Sequence, residues 1–114
     1  MLTASVQSYI KVREIYKDHI DRLIKSIRVK HYSYRTEHSY LEWQLRFIQF
    51  NSMSDPSTYT AQHISTFLEH LAVNRKVSAS TQAQALNALV YFYRNVLNKE
   101  PGDNIQFVKA KTPK

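Results

Sequence analysis

The chain of 114 residues has no cysteine, one glycine and three prolines. Without a thiol there is no disulfide framework, no thiolate nucleophile and no cysteine-bearing zinc site. The lone glycine, Gly102, cannot build a glycine-rich phosphate loop. The same scarcity argues against a turn-rich β architecture, whose hairpins depend on glycine. No apolar run approaches the ~20 residues of a membrane-spanning helix, and no signal-type apolar stretch follows Met1, which predicts a cytoplasmic protein. Acids are scarce as well. Nine Asp and Glu face sixteen Lys and Arg, for a net charge of +7 and a pI near 9.7. That balance points to a polyanionic partner without saying which one. The length suits one compact domain with tails.

What is present is helical periodicity, in four segments. The first runs from about Val6 to Lys30, with Tyr16, Ile20, Leu23, Ile24 and Ile27 on its apolar side. Its earlier half is less regular and either frays or forms a separate piece. The second, from Ser33 to Phe50, carries a wide apolar arc (Tyr40, Leu41, Trp43, Leu45, Phe47, Ile48) interrupted by Gln44, and so belongs at the centre of the core. Small polar residues and Pro56 then stop propagation. The third spans about Thr60 to Asn74, capped by Thr60, with Ile64, Phe67, Leu68, Leu71 and Ala72 in register. The fourth extends from Ser78 to near Asn98 and buries Ala85, Leu86, Leu89, Phe92, Tyr93 and Val96. Its outer face reads Ser80, Gln84, Asn87, Tyr91, Arg94. Solvated helix faces favour Lys and Glu in pairs, whereas these are groups that read base edges in a major groove. An ordinary polar surface would carry the same residues, and this face alone does not separate the two.

Two helix starts share one layout. Ser33-Tyr34-Arg35-Thr36 and Ser78-Ala79-Ser80-Thr81 are both Ser-x-x-Thr, each with a cation three residues upstream, Lys30 and Arg75. Simple N-capping accounts for each motif singly. The helix end also offers unpaired N–H groups and partial positive charge, so hydroxyls and a cation beside it make a phosphate site. Both starts lie in acid-free windows. Arg22 to Arg35 holds Arg22, Lys25, Arg28, Lys30, His31 and Arg35, and Leu71 to Lys99 holds Arg75, Lys76, Arg94 and Lys99.

The run Ile27-Arg28-Val29-Lys30-His31-Tyr32-Ser33-Tyr34-Arg35-Thr36-Glu37-His38-Ser39-Tyr40, followed by Trp43, Arg46, Phe47 and Phe50, resembles the N-terminal core-binding domain of integron integrases, a branch of the phage-type tyrosine recombinases. Phe67 to Val73, Val77 to Gln82, Ala85 to Leu89 and Phe92 to Leu97 agree, so the likeness covers roughly Asp21 to Lys111. It implies an all-α fold, a small orthogonal SAM-like bundle of four to five helices. It also implies one half of a clamp around a recombination site, with two helices facing DNA and a basic linker to a catalytic domain. On that basis residues 1–20 are an N-terminal extension, 21–100 the core-binding domain and 101–114 the start of the linker, with Lys109 and Lys111 as its cations. The chain stops before the family's tyrosine nucleophile and Arg, Lys and His cluster. No catalytic residue is therefore expected, and His19-Ile20-Asp21-Arg22 matches the family's His-x-x-Arg spacing by accident.

The expected function is sequence-selective binding of double-stranded DNA, with other recombinase protomers as further partners and no cofactor or metal. Phosphates are assigned to Lys30, Arg35, Arg75, Lys76 and Ser78. Groove contacts are assigned to Gln84, Asn87, Tyr91 and Arg94, with Arg46 from the second helix. His31, Ser33, Thr36, Ser80 and Thr81 complete the set. His63 and His70 share a face without a third ligand, and Glu37 and Glu42 point differently, so neither pair builds a site. Two other readings remain: a helical protein-interaction module, and a stand-alone helix-turn-helix regulator.

Overall fold

The computed structural model describes residues 4–102 and 105–110. It contains α1 (Ala4–Ile15), α2 (Lys17–Val29), α3 (Tyr34–Phe50), a 3-10 turn (Pro56–Thr58), α4 (Ala61–Val73) and α5 (Ala79–Asn95), with no strand among the described residues. The all-α bundle expected from the sequence is the fold observed. None of these helices is long and apolar enough to cross a membrane.

α3 is the central element, packed against α1, α2 and α5. Its inner face explains why: Phe47 and Ile48 are completely buried and Trp43 nearly so. Phe47 meets Tyr59, Phe67 and Tyr93 with ring centroids 5.1, 5.4 and 6.2 Å away. α4 and α5 form an antiparallel pair, tied at one end by the Tyr93 hydroxyl, which donates to the Thr60 carbonyl at 2.7 Å. Burial pushes the Tyr93 and Tyr59 phenols well above their ordinary range.

The segment from Val6 to Lys30 is two helices. Tyr16 leaves helical geometry (φ −110°, ψ 35°), and its hydroxyl donates to the Met53 carbonyl beyond the end of α3. This break turns α1 onto α3, where Val12 is fully buried. With a single glycine in the chain, other residues must take the left-handed positions that end helices. His31 (φ 58°) closes α2 and Ser52 (φ 57°) closes α3, each in the same two-bond turn: Tyr32 N–H to Ile27 O with His31 N–H to Arg28 O, and Met53 N–H to Ile48 O with Ser52 N–H to Gln49 O.

The segment after α5, which by its basic composition reads as an exposed arm from Asn104 onward, instead packs on the bundle over its described residues. Pro101 is buried, and Ile105 and Phe107 pack half-buried against the core. Gly102 and Ile105 lie beside Arg94, Val90 and Leu86, while residues 108–110 reach Gln82, so the chain doubles back along α5. Gln82 is 3% exposed and its carboxamide is saturated by backbone. Nε2 donates to Leu68 O (3.0 Å) and Val108 O (2.8 Å), and Oε1 accepts from Ala110 N–H (2.8 Å). The other buried glutamine, Gln44, is 1% exposed, and neither amide atom has a partner among the described residues.

These two glutamines respond oppositely to apolar substitution. Gln44→Met removes a buried carboxamide without partners among the described residues and raises stability by about 1–3 kcal/mol, measured by urea denaturation. Gln82→Leu strands three backbone groups and releases the 108–110 segment. Trypsin cleavage after Lys109 then accelerates about tenfold or more while α5 stays folded by circular dichroism.

Candidate nucleic-acid interface

The two Ser-x-x-Thr starts are built alike. Ser33 Oγ accepts from Thr36 N–H at 3.1 Å and donates to Thr36 Oγ1 at 3.0 Å; Ser78 does the same with Thr81, at 3.1 Å for both bonds. The serine hydroxyls are thus consumed by the caps, each worth about 1 kcal/mol to its helix. Each start also leaves the backbone N–H pair of its first helical residues, Tyr34 and Arg35 or Ala79 and Ser80, outside the intrahelical ladder.

The neighbouring cations divide along α5. Arg75 and Lys76 are exposed in the turn before it, with Lys76 held at φ 51°. Lys30 sits at the other end, where Nζ donates to Asn95 Oδ1 (2.9 Å) and lies 4.8 Å from the Tyr91 ring centre. By helix rise the ends of α5 are about 25 Å apart.

Between these ends α3 crosses α5, and the crossing gathers a row of side chains. Arg35, His38, Glu42 and Arg46 from α3 line one concavity with Gln84 of α5. Arg46 also lines the next concavity, with His70 and Arg75. The expected residues Arg35, Arg46, Arg75 and Gln84 therefore share one continuous surface. Asn87 and Arg94 line a separate concavity beside Tyr40 and Ile105. Three acids temper the charge, and Glu42 pairs with Arg46 at 2.7 Å within the row itself. Glu37 binds Arg28 at 2.8 Å and Glu100 binds Arg94 at 2.6 Å, and these arginines hold both carboxyls below the usual carboxylate range.

The family model described as phage integrase, N-terminal SAM-like domain, matches residues 19–103. The chain belongs to this family. Proteins called "Integrase/recombinase" from Escherichia coli and Pseudomonas aeruginosa are each 46% identical to it over 78 residues. That stretch is 68% of this chain and 23% of the length of those relatives.

Within this integrase domain one expected groove residue is misplaced by the sequence reading. Tyr91 is 9% exposed and belongs to the core. Its ring packs on Tyr40 (5.1 Å) and Tyr32 (6.0 Å), and its hydroxyl meets Ser26 Oγ at 2.6 Å. A phenol at the edge of an apolar arc buries when a distant hydroxyl satisfies it, and Ser26 lies 65 residues away. Leu86, expected inside, is half-buried. His31 and Ser80 are exposed, Thr36 and Thr81 serve the caps, and Lys109 is exposed between the two backbone groups bound to Gln82. Lys111 lies outside the described residues.

His38 and Glu42 were not singled out for this surface. Their signal was available, since Arg35, His38, Glu42 and Arg46 recur at helical spacing opposite Phe47. His63 serves the start of α4, accepting from Thr60 N–H at 2.9 Å, and His70 packs on Phe50 at 4.8 Å. Tyr91→Phe should cost about 1 kcal/mol of stability in a denaturant titration, because it removes one buried hydroxyl contact, and should leave nucleic-acid affinity unchanged.

Proposed function

We propose that this chain binds double-stranded DNA at a recombination site, with sequence selectivity, as the N-terminal domain of an integron-like integrase. The single observation that carries this reading is the row of Arg35, Arg46 and Arg75 with Gln84 along the α3–α5 crossing. Cations at the two ends of α5 supply the salt-dependent attraction to phosphates: Lys30 at one, Arg75 and Lys76 at the other. The unladdered N–H pairs that follow Ser33 and Ser78 are the proposed anion-binding helix ends. Gln84 and Arg46 on the row, and Asn87 and Arg94 in the neighbouring concavity, are the proposed groove contacts, since amide and guanidinium groups bond bases in pairs. Further recombinase protomers on the same DNA are the second partner. The His31-Tyr32-Ser33-Tyr34-Arg35-Thr36-Glu37 run supports the integron-like branch.

In this reading the domain holds DNA and leaves cleavage to other residues. A tyrosine nucleophile needs a lowered phenol pKa or an adjacent base. For five of the eight tyrosines neither condition is met: burial raises Tyr40, Tyr59 and Tyr93, and hydrogen bonds occupy Tyr16 and Tyr91.

Fluorescence anisotropy with duplexes of about 25 base pairs tests the proposal. Arg75→Ala weakens binding to every sequence and reduces the salt slope by about one. Asn87→Ala weakens binding to a selected site more than to random duplex. Equal loss on both removes Asn87 from base reading. No binding even at low salt leaves a protein-interaction module as the better account.

A further inference from the structure

Resting on the DNA-binding reading, one feature of the α3 surface goes beyond it. Glu42 is an acid set among cations. It lines the same concavity as Arg35, Arg46 and Gln84, and its Oε1 accepts from Arg46 at 2.7 Å. Arg46 is held at a second point, with its guanidinium 5.3 Å from the Trp43 ring centre. Both side chains remain partly exposed, 43% for Glu42 and 45% for Arg46. The result is a prearranged acceptor and donor, one helical turn apart, on the outer face of a rigid central helix.

A carboxylate here is unfavourable wherever phosphate approaches. It repels the backbone oxygens that Arg35 and Arg46 attract, over a distance comparable to the screening length of about 8 Å in physiological salt. Arg46 offsets part of this charge, and the rest is best accommodated where the facing surface offers hydrogen-bond donors. In the major groove those donors are the exocyclic amino groups of cytosine and adenine. A carboxylate accepts from the cytosine amino group, while an arginine donates to guanine O6 and N7. Positions 42 and 46 are four apart, about 6 Å of helix rise, and so reach nearby base pairs in one groove.

We infer that Glu42 is a specificity-determining residue, which with Arg46 reads neighbouring base edges, Glu42 requiring an amino-bearing base and Arg46 a guanine. Glu42 limits overall affinity and confers discrimination, because Arg46 bonds only its Oε1, and a duplex that offers no amino group leaves the other carboxylate oxygen desolvated. Loss of the carboxylate therefore makes the domain bind more tightly and less selectively.

The test is selection from a randomised duplex pool, with the whole chain as wild type, as Glu42→Gln and as Glu42→Ala, all checked by circular dichroism. The expected wild-type pool shows a position enriched in cytosine or adenine. In Glu42→Ala that preference falls about fivefold or more while preferences elsewhere persist, and Glu42→Gln loses cytosine but keeps adenine, whose N6 and N7 a glutamine amide bonds. Affinity for random duplex meanwhile rises. Two results overturn the assignment: identical preferences in wild type and variants, or duplex binding by wild type without preference at any position. In both, duplex binding survives and only the role of Glu42 falls. Absence of duplex binding by wild type at low salt instead removes the DNA reading, and this inference with it.

Discussion

The packing of α3 across α5 is the constraint on which the rest of the molecule depends. Tyr40 meets Tyr91 and Phe47 meets Tyr93 at the inner faces, each such ring pair contributing about 0.5–1.5 kcal/mol beyond simple burial. With the inner faces locked, the outer faces must emerge side by side. This places Arg46 of one helix and Gln84 of the other along one surface, though 38 positions separate them in sequence. The contact also recruits α2. The Tyr91 hydroxyl meets Ser26, and its ring underlies Lys30, so a single tyrosine joins three helices and seats a surface cation.

Charge is organised by local pairing rather than by the overall total. The ion pairs of the described residues engage Lys17, Arg28, Arg46 and Arg94 with Asp21, Glu37, Glu42 and Glu100. Arg35, Arg75 and Lys76 are not among them. These three lie beside the starts of α3 and α5, where the helix ends already carry partial positive charge. Exposed pairs of this kind contribute little to stability, and their larger effect is to shape the field that a polyanion meets.

The core helices were legible because burial follows a 3.6-residue period. Phe47, Phe67, Leu68, Leu89 and Phe92 are buried as their spacing requires. The N-terminal break was harder to place, because Tyr16 departs from helical geometry to reach Met53, 37 residues away. Tyr91 failed for the same reason, since periodicity ranks hydrophobicity and cannot announce a distant hydroxyl partner. Gln82 was hidden more thoroughly, because a glutamine near a helix start reads as surface until the returning chain covers it. In the candidate site, the row along α3 was readable as a polar stripe opposite the aromatic one. Its meeting with Gln84 and Arg75 required the tertiary structure.

The returning segment also governs how the domain bears load. Residues 108–110 are fastened at Gln82, near the beginning of α5, while the chain leaves that helix at its far end. Tension applied from beyond Ala110 reaches the Gln82 carboxamide before it reaches the last turn of α5. Its bonds to Val108 and Ala110 share the pull, and its bond to Leu68 passes part of it to α4. The helix is thereby shielded from being peeled from its end, and the surface beside Asn87 keeps its shape under strain.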